Sequence, residues 1–139
     1  SEMTVDFSQA SPRQVIDQIF QDGKVEQAEV DALRARLDAD WKISREEAEL
    51  LFRINDAPQE SESNSDAWSA FFIDALVQFS VFDMNSPGEI ESEEANWLID
   101  QLVQHPVLDQ NEEALLHAIK KQATRIDDKL IEFVHDPRP

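Results

Sequence analysis

A short pattern that opens α-helices occurs four times in this chain, and it constrains the fold more than any other feature. In each copy an apolar residue precedes a polar residue at the N-cap position, and a glutamate stands four positions after the apolar residue. The four pairs are Val25 and Glu29, Ile43 and Glu47, Ile90 and Glu94, and Leu108 and Glu112. Because a polar N-cap followed three positions later by glutamate is typical of helix starts, the pattern predicts a succession of helices.

The spacing of these copies indicates an internal duplication. The first two copies are 18 residues apart, as are the last two, and one offset of 65 residues maps the first pair onto the second. We therefore expect two related halves with pseudo-twofold symmetry, at about residues 11–57 and 66–135. The polar segment at residues 58–65 is too short to separate independent domains, so residues 1–139 are predicted to form a single domain.

Apolar residues recur at helical spacing along the rest of the chain, and this predicts an all-α fold, a bundle of seven helices. The predicted helices cover residues 12–21, 26–38, 44–55, 66–82, 91–104, 109–123 and 127–135. Apolar side chains surround most of the fourth helix, which we expect to be the most buried one. Trp41, Trp68 and Trp97 are expected in the core. No alternating pattern is present, so no β-sheet is expected.

The charge is strongly negative and unevenly distributed. The net charge is −18, and residues 54–119 contain fourteen acidic residues without a single lysine or arginine. Such a surface repels phosphate backbones and anionic lipids, so neither a nucleic acid nor a membrane is expected as a partner. Cations, basic proteins and solubility alone remain as explanations of the charge.

The composition lacks the residues of the common catalytic sites. There is no cysteine, hence no thiolate nucleophile, and two glycines cannot form a phosphate-binding loop. The three histidines have no metal-ligand spacing, and no nucleophile-elbow motif is present. We therefore expect a protein that is not an enzyme. Without a long apolar segment or a leader-like N-terminus, the chain is expected to be cytoplasmic.

The recurring glutamates have two interpretations. The first is local, because an N-cap and its glutamate satisfy the free amides of a helix start without any ligand. The second is a calcium loop of the EF-hand type between Asp83 and Glu94, which needs oxygen ligands at fixed positions and a glycine at the sixth. The residues that match this loop are Asp83, Asn85, Gly88, Ile90 and Glu94. Pro87 stands where the loop needs its fifth-position ligand. A spacing of 18 residues leaves room for only one helix between copies, whereas paired EF-hands need two. The second interpretation is therefore a single degenerate cation site between Asp83 and Glu94.

The helix openings resemble those of TerB-like proteins, the family of the bacterial tellurite-resistance protein. The resemblance is carried by residues 22–30, Asp-Gly-Lys-Val-Glu-Gln-Ala-Glu-Val, and by their echoes at residues 43–48 and 88–95. It implies a helical bundle with pseudo-twofold symmetry, acidic faces and a role in metal binding or stress response. The residues that match the family's motif are Asp22, Glu29 and Glu94.

These observations predict a non-enzymatic, TerB-like protein that acts through protein contacts and binds a divalent cation. The expected cation ligands are Asp83, Asn85, Glu94, Asp22 and Glu29. An alternative function follows from the charge alone. An acidic protein of this kind could inhibit a basic partner by occupying its nucleic-acid groove.

Overall fold

The computed structural model describes residues 11–22, 25–39, 41–56, 66–82, 88–104 and 110–135. At residues 22, 56, 82, 134 and 135 it describes the backbone alone. Of the described residues, 82% are helical, which confirms the all-α class.

Seven α-helices follow one another in these residues, as predicted. They are α1 Pro12–Asp22, α2 Gln27–Ala39, α3 Arg45–Asp56, α4 Asp66–Val77, α5 Ser92–Leu102, α6 Gln110–Gln122 and α7 Asp128–His135. The first begins with a reciprocal cap. The Ser11 amide donates to Gln14 Oε1 at 2.7 Å, and the Gln14 amide donates to Ser11 Oγ at 3.2 Å. Pro12 at the first helical position has no amide hydrogen to satisfy, so helix formation costs it nothing there.

The fourth helix changes its winding before it ends. Residues 66–77 are α-helical, and Gln78–Phe82 continue as a π-helix. Inside this wider turn the hydroxyl of Ser80, which is fully buried, donates to the Leu76 carbonyl oxygen at 2.6 Å. The predicted helix at 66–82 is thus helical throughout, but its last turn has a geometry that apolar spacing does not reveal.

A small β-sheet is present, although the sequence predicts none. Strands β1 (Glu89–Ile90) and β2 (Arg125–Ile126) pair in parallel, with Glu89 opposite Arg125 and Ile90 opposite Ile126. Two residues are too few to show an alternating pattern. The pairing also joins positions far apart in the chain, so it depends on how the helices pack.

The residues group into two compact units, Ser1–Phe71 and Phe72–Pro139. The division falls inside α4 rather than in the polar segment at residues 58–65. The expected duplication, its symmetry and the single domain stay predictions. Each unit has its own apolar core. The fully buried large side chains include Ile16, Leu33, Leu51, Phe52 and Trp68 in the first unit and Leu76, Ile90, Leu98 and Leu102 in the second.

The three tryptophans lie in these cores, as predicted. Trp41 is 8%, Trp68 0% and Trp97 5% exposed. In the first unit the Trp41 ring stacks on Phe71, with centroids 6.2 Å apart and ring planes at 12°. In the second unit Trp97 meets Phe79 edge-on at 5.2 Å. The aromatic contacts fix how the helices of each unit pack.

Candidate functional site

The recurring glutamates make the same hydrogen bond in each copy whose bond is described. The Glu29 carboxylate accepts from the Glu26 amide at 2.8 Å, and Glu94 accepts from the Glu91 amide at 2.7 Å. Glu47 accepts from the Ser44 amide at 3.0 Å, and Ser44 Oγ accepts from the Glu47 amide at 3.1 Å. Each carboxylate therefore closes the first turn of its helix, and the local interpretation of the pattern is confirmed for these copies.

These glutamates are far more buried than glutamates normally are. Glu29, Glu94 and Glu112 are each 1% exposed, whereas Glu47 is half-buried. Glu47 has a second donor, because the indole Nε1 of Trp41 also donates to its Oε1 at 3.0 Å. The sequence pattern indicated the cap but gave no sign of this burial.

The second oxygen of Glu94 is the least satisfied group at this position. Glu94 Oε1 accepts the Glu91 amide, while the buried Oε2 has no hydrogen-bond donor among the described residues. A buried carboxylate oxygen without a donor is costly, and water or a cation is the usual remedy. The orphaned oxygen belongs to the residue that ends the predicted cation loop, and a carboxylate oxygen is a type of ligand that hard cations bind.

The other predicted cation ligands are only partly described. Asp83 and Asn85 lie outside the described residues, and only the backbone of Asp22 is described. Glu29 and Glu94 belong to different units, and each caps its own helix. Within the described ranges no three or more carboxylate or histidine side chains gather to hold a metal ion. The whole proposed ligand set, Glu94 included, therefore stays a prediction.

Gly88 occupies the position where the loop was expected to need glycine. Its φ angle is +86°, in the left-handed region that L side chains rarely adopt. Its amide donates to the Val81 carbonyl oxygen at 2.7 Å, so the residue also terminates the π-helix. The predicted glycine requirement of this segment agrees with the backbone.

The exposed acids form a different population from the buried caps. In the stretch without lysine or arginine, the described acids that lie exposed are Asp66, Asp74, Glu91, Glu93, Asp100 and Glu113. On α5, Glu93 and Asp100 are two turns apart and therefore share one helix face. Neither has an ion-pair partner among the described residues, and their charge is directed to solvent.

An exposed ion-pair cluster links α1 and α3 outside this stretch. The guanidinium of Arg13 donates to both carboxylate oxygens of Glu46, at 3.2 and 3.4 Å, and to Asp17 at 3.4 Å. Hydrogen bonding to Glu46 raises the pKa of Arg13 above its ordinary value. The guanidinium is always protonated in proteins, so it compensates part of the negative charge of Glu46 and Asp17.

Neither the helices nor three comparisons with known proteins indicate a function for these residues. In the described residues no helix is long and apolar enough to cross a membrane. No protein-family model matches the chain, and no curated protein or solved structure is significantly similar to it. The evidence for a function is therefore the burial, hydrogen bonding and charge of the residues described above.

Proposed function

We propose that this protein is a non-enzymatic, TerB-like binding module of the bacterial cytoplasm, related to stress response, which acts through contacts between its acidic surface and a basic protein. The observation that supports this proposal is the division of its carboxylates into two populations. Glu29 and Glu94 are buried and cap helices, whereas Glu93 and Asp100 on α5 are exposed and have no ion-pair partner among the described residues. A carboxylate that does not stabilise a helix start is available to bind a partner.

The face of α5 that carries Glu93 and Asp100 is the part of this surface that we expect to matter most. Both side chains are exposed, and like charges on one helix face repel each other weakly. A lysine-rich or arginine-rich partner relieves that repulsion and gains attraction over a Debye length of about 8 Å at physiological salt. The complementarity chiefly speeds association and selects basic partners.

The experiment measures binding of a fluorescent, lysine-rich helical peptide by anisotropy at increasing salt. We expect the Glu93→Gln/Asp100→Asn double variant to bind more weakly than the wild type. The matched control is Asp38→Asn/Glu132→Gln, which removes two exposed acids outside the stretch and should retain most of the affinity. If both double variants weaken peptide binding equally, binding depends only on the net charge of the protein. The proposal that this face of α5 is specific would then be wrong.

We further propose that the segment from Asp83 to Glu94 takes a divalent cation, with Glu94 Oε2 as one ligand. The support is the orphaned, buried oxygen together with the left-handed Gly88. Because Glu94 Oε1 is held by the Glu91 amide, the carboxylate offers a single oxygen. Mg²⁺ is bound by one or two carboxylates and keeps several waters, whereas Ca²⁺ in an EF-hand needs a bidentate glutamate. The arrangement thus favours Mg²⁺.

The second candidate function is inhibition of a nucleic-acid-binding protein by charge mimicry. The observation that favours it is the exposed pair Glu93 and Asp100 on one face of α5, in a stretch of sequence without lysine or arginine. A mimic should lose its partner steeply as salt rises, and nucleic acid should displace it. Competition by double-stranded DNA against a folded basic partner protein, in place of the lysine-rich peptide, distinguishes the two functions. DNA displaces the protein from a partner's nucleic-acid groove but not from a surface outside it.

A further inference from the structure

The second unit contains a set of backbone hydrogen bonds that joins two chain segments far apart in sequence. The Gly88 carbonyl oxygen accepts from the Thr124 amide at 2.6 Å and from the Thr124 hydroxyl at 2.9 Å. The Ile90 carbonyl oxygen accepts from the Asp127 amide at 2.7 Å. Together with the β1–β2 pairing, these bonds form a clasp between residues 88–90 and residues 124–127.

The clasp is anchored at both ends. On one side the Gly88 amide donates to Val81 in the π-helix, and the Glu91 amide donates to Glu94 at the start of α5. On the other side Asp127 begins α7, because its Oδ1 accepts the Lys129 amide at 2.9 Å and its carbonyl oxygen accepts the Leu130 amide at 3.1 Å. The start of α5 and the start of α7 are therefore tied to one another through consecutive backbone bonds.

Besides the clasp, α7 is held by its packing on α5 and by an exposed hydrogen bond from Lys129 Nζ to Ser92 Oγ at 3.1 Å. It is 8 residues long, well below the about 12 to 15 residues at which an isolated helix becomes even marginally stable. Its described buried side chains are Leu130 and Phe133, whereas Ile131 is 37% exposed. It packs on α5. A short helix with few buried side chains, next to hydrogen bonds that are exposed to solvent, belongs to the part of a fold that opens first.

We propose that α7 is a releasable latch, whose docking on α5 is coupled through the clasp to the conformation of the Gly88–Ile90 segment. Release frees Thr124 and Asp127 from their acceptors and uncovers the apolar side chains of Leu130 and Phe133 together with the surface of α5 beneath them. Since coupling is reciprocal, loosening α7 also loosens the segment before α5. This inference goes beyond the proposed binding of a basic protein and does not depend on it.

Hydrogen exchange on the full chain tests the latch, resolved at single amides by NMR. In Gly88→Ala the added Cβ comes no closer than 3.6 Å to Thr124 Oγ1, so the substitution strains the backbone without a clash. Left-handed backbone is costly for alanine, and we expect exchange at Thr124, at Asp127 and throughout α7 to accelerate about tenfold. The amides of α6 should keep their rates.

A second pair of variants keeps the test decisive if Gly88→Ala does not fold. Thr124→Val removes the hydroxyl donor at nearly constant shape, and Thr124→Ser retains it. We expect the valine variant alone to accelerate exchange in α7 by about threefold to tenfold. Leu130→Ala, which loosens α7 directly, should accelerate exchange at the Gly88 amide. If α7 and Gly88 respond independently, or if α6 accelerates with them as in global unfolding, the latch is disproved.

Discussion

The carboxylate of Glu94 accepts a hydrogen bond of 2.7 Å from the backbone amide of Glu91, three residues before it. The same bond occurs between Glu29 and Glu26 in the other unit, where it measures 2.8 Å. In both units the glutamate is almost completely buried, so it holds the helix start from the inside rather than from the surface. This relationship determines what substitutions at the recurring glutamates should do.

Replacing the Glu94 cap tests its structural role. Glu94→Ala removes the acceptor and leaves a void in a buried position, and we expect a loss of about 1–2 kcal/mol in the free energy of unfolding. Glu94→Gln keeps an oxygen for the Glu91 amide and removes the buried charge, so it should cost less than the alanine variant. Denaturant unfolding monitored by tryptophan fluorescence measures both. Equal losses in the two variants would mean that the hydrogen bond to the Glu91 amide contributes nothing to stability.

Divalent cations should stabilise the wild type through the proposed site. At a cation concentration of 100 times Kd, binding to the native state alone adds about 2.7 kcal/mol and raises Tm. We expect the shift with Mg²⁺ and not with KCl at equal ionic strength, and we expect Glu94→Gln to abolish it. Glu112→Gln is the matched control, since Glu112 is equally buried at the same position of another helix. If titration with Mg²⁺, Ca²⁺, Mn²⁺ and Zn²⁺ neither shifts Tm nor produces a heat of binding, the proposal of a cation site is wrong.

The indole of Trp68 should depend on Asn55 for its hydrogen bond. Trp68 is fully buried, and its Nε1 donates to Asn55 Oδ1 at 3.1 Å. Asn55→Leu leaves that donor without this acceptor, and we expect a cost of about 1–3 kcal/mol in unfolding free energy. In a Trp68→Phe background, which has no donor to lose, the same change should cost much less. A double-mutant cycle with additive losses would show that the two side chains are not coupled.

Substitutions at Trp41 can separate the energetic contribution of its hydrogen bond from that of its packing. Its Nε1 donates to Glu47 Oε1, while its ring stacks on Phe71. Trp41→Phe keeps an aromatic ring but loses the donor, so we expect a loss of about 1 kcal/mol from the bond, plus a smaller packing term. Trp41→Ala should cost about 3–5 kcal/mol. Thermal unfolding distinguishes these values, and equal shifts in Tm for the two variants would contradict the assignment.

The sequence predicted the helices well because their signals are local. The cap at Ser44 and Glu47 involves residues three positions apart, and both of its hydrogen bonds are present as expected. The β1–β2 pairing was missed because it joins Ile90 to Ile126 and depends on tertiary packing. The π-helix was missed for a related reason, since the bond from Ser80 to Leu76 resembles any helical side-chain contact in the sequence.

The candidate site was predictable only in part. The pattern singled out Glu94 and Gly88, and their roles in the backbone agree with it. That Glu94 is buried with one oxygen lacking a donor could not be predicted, because burial depends on which helices surround it. The clasp between Gly88 and Thr124 was equally hidden, since no sequence pattern relates two segments 36 residues apart.

The buried carboxylate of Glu29 stabilises a helix start, whereas the exposed carboxylates of Glu93 and Asp100 have no ion-pair partner among the described residues. Denaturant unfolding of Glu93→Gln/Asp100→Asn beside Glu29→Ala tests this difference directly. We expect the exposed pair to change the free energy of unfolding by less than about 0.5 kcal/mol, whereas the single buried cap costs about 1–2 kcal/mol. An exposed pair that destabilises the protein as much as the buried cap would contradict the account.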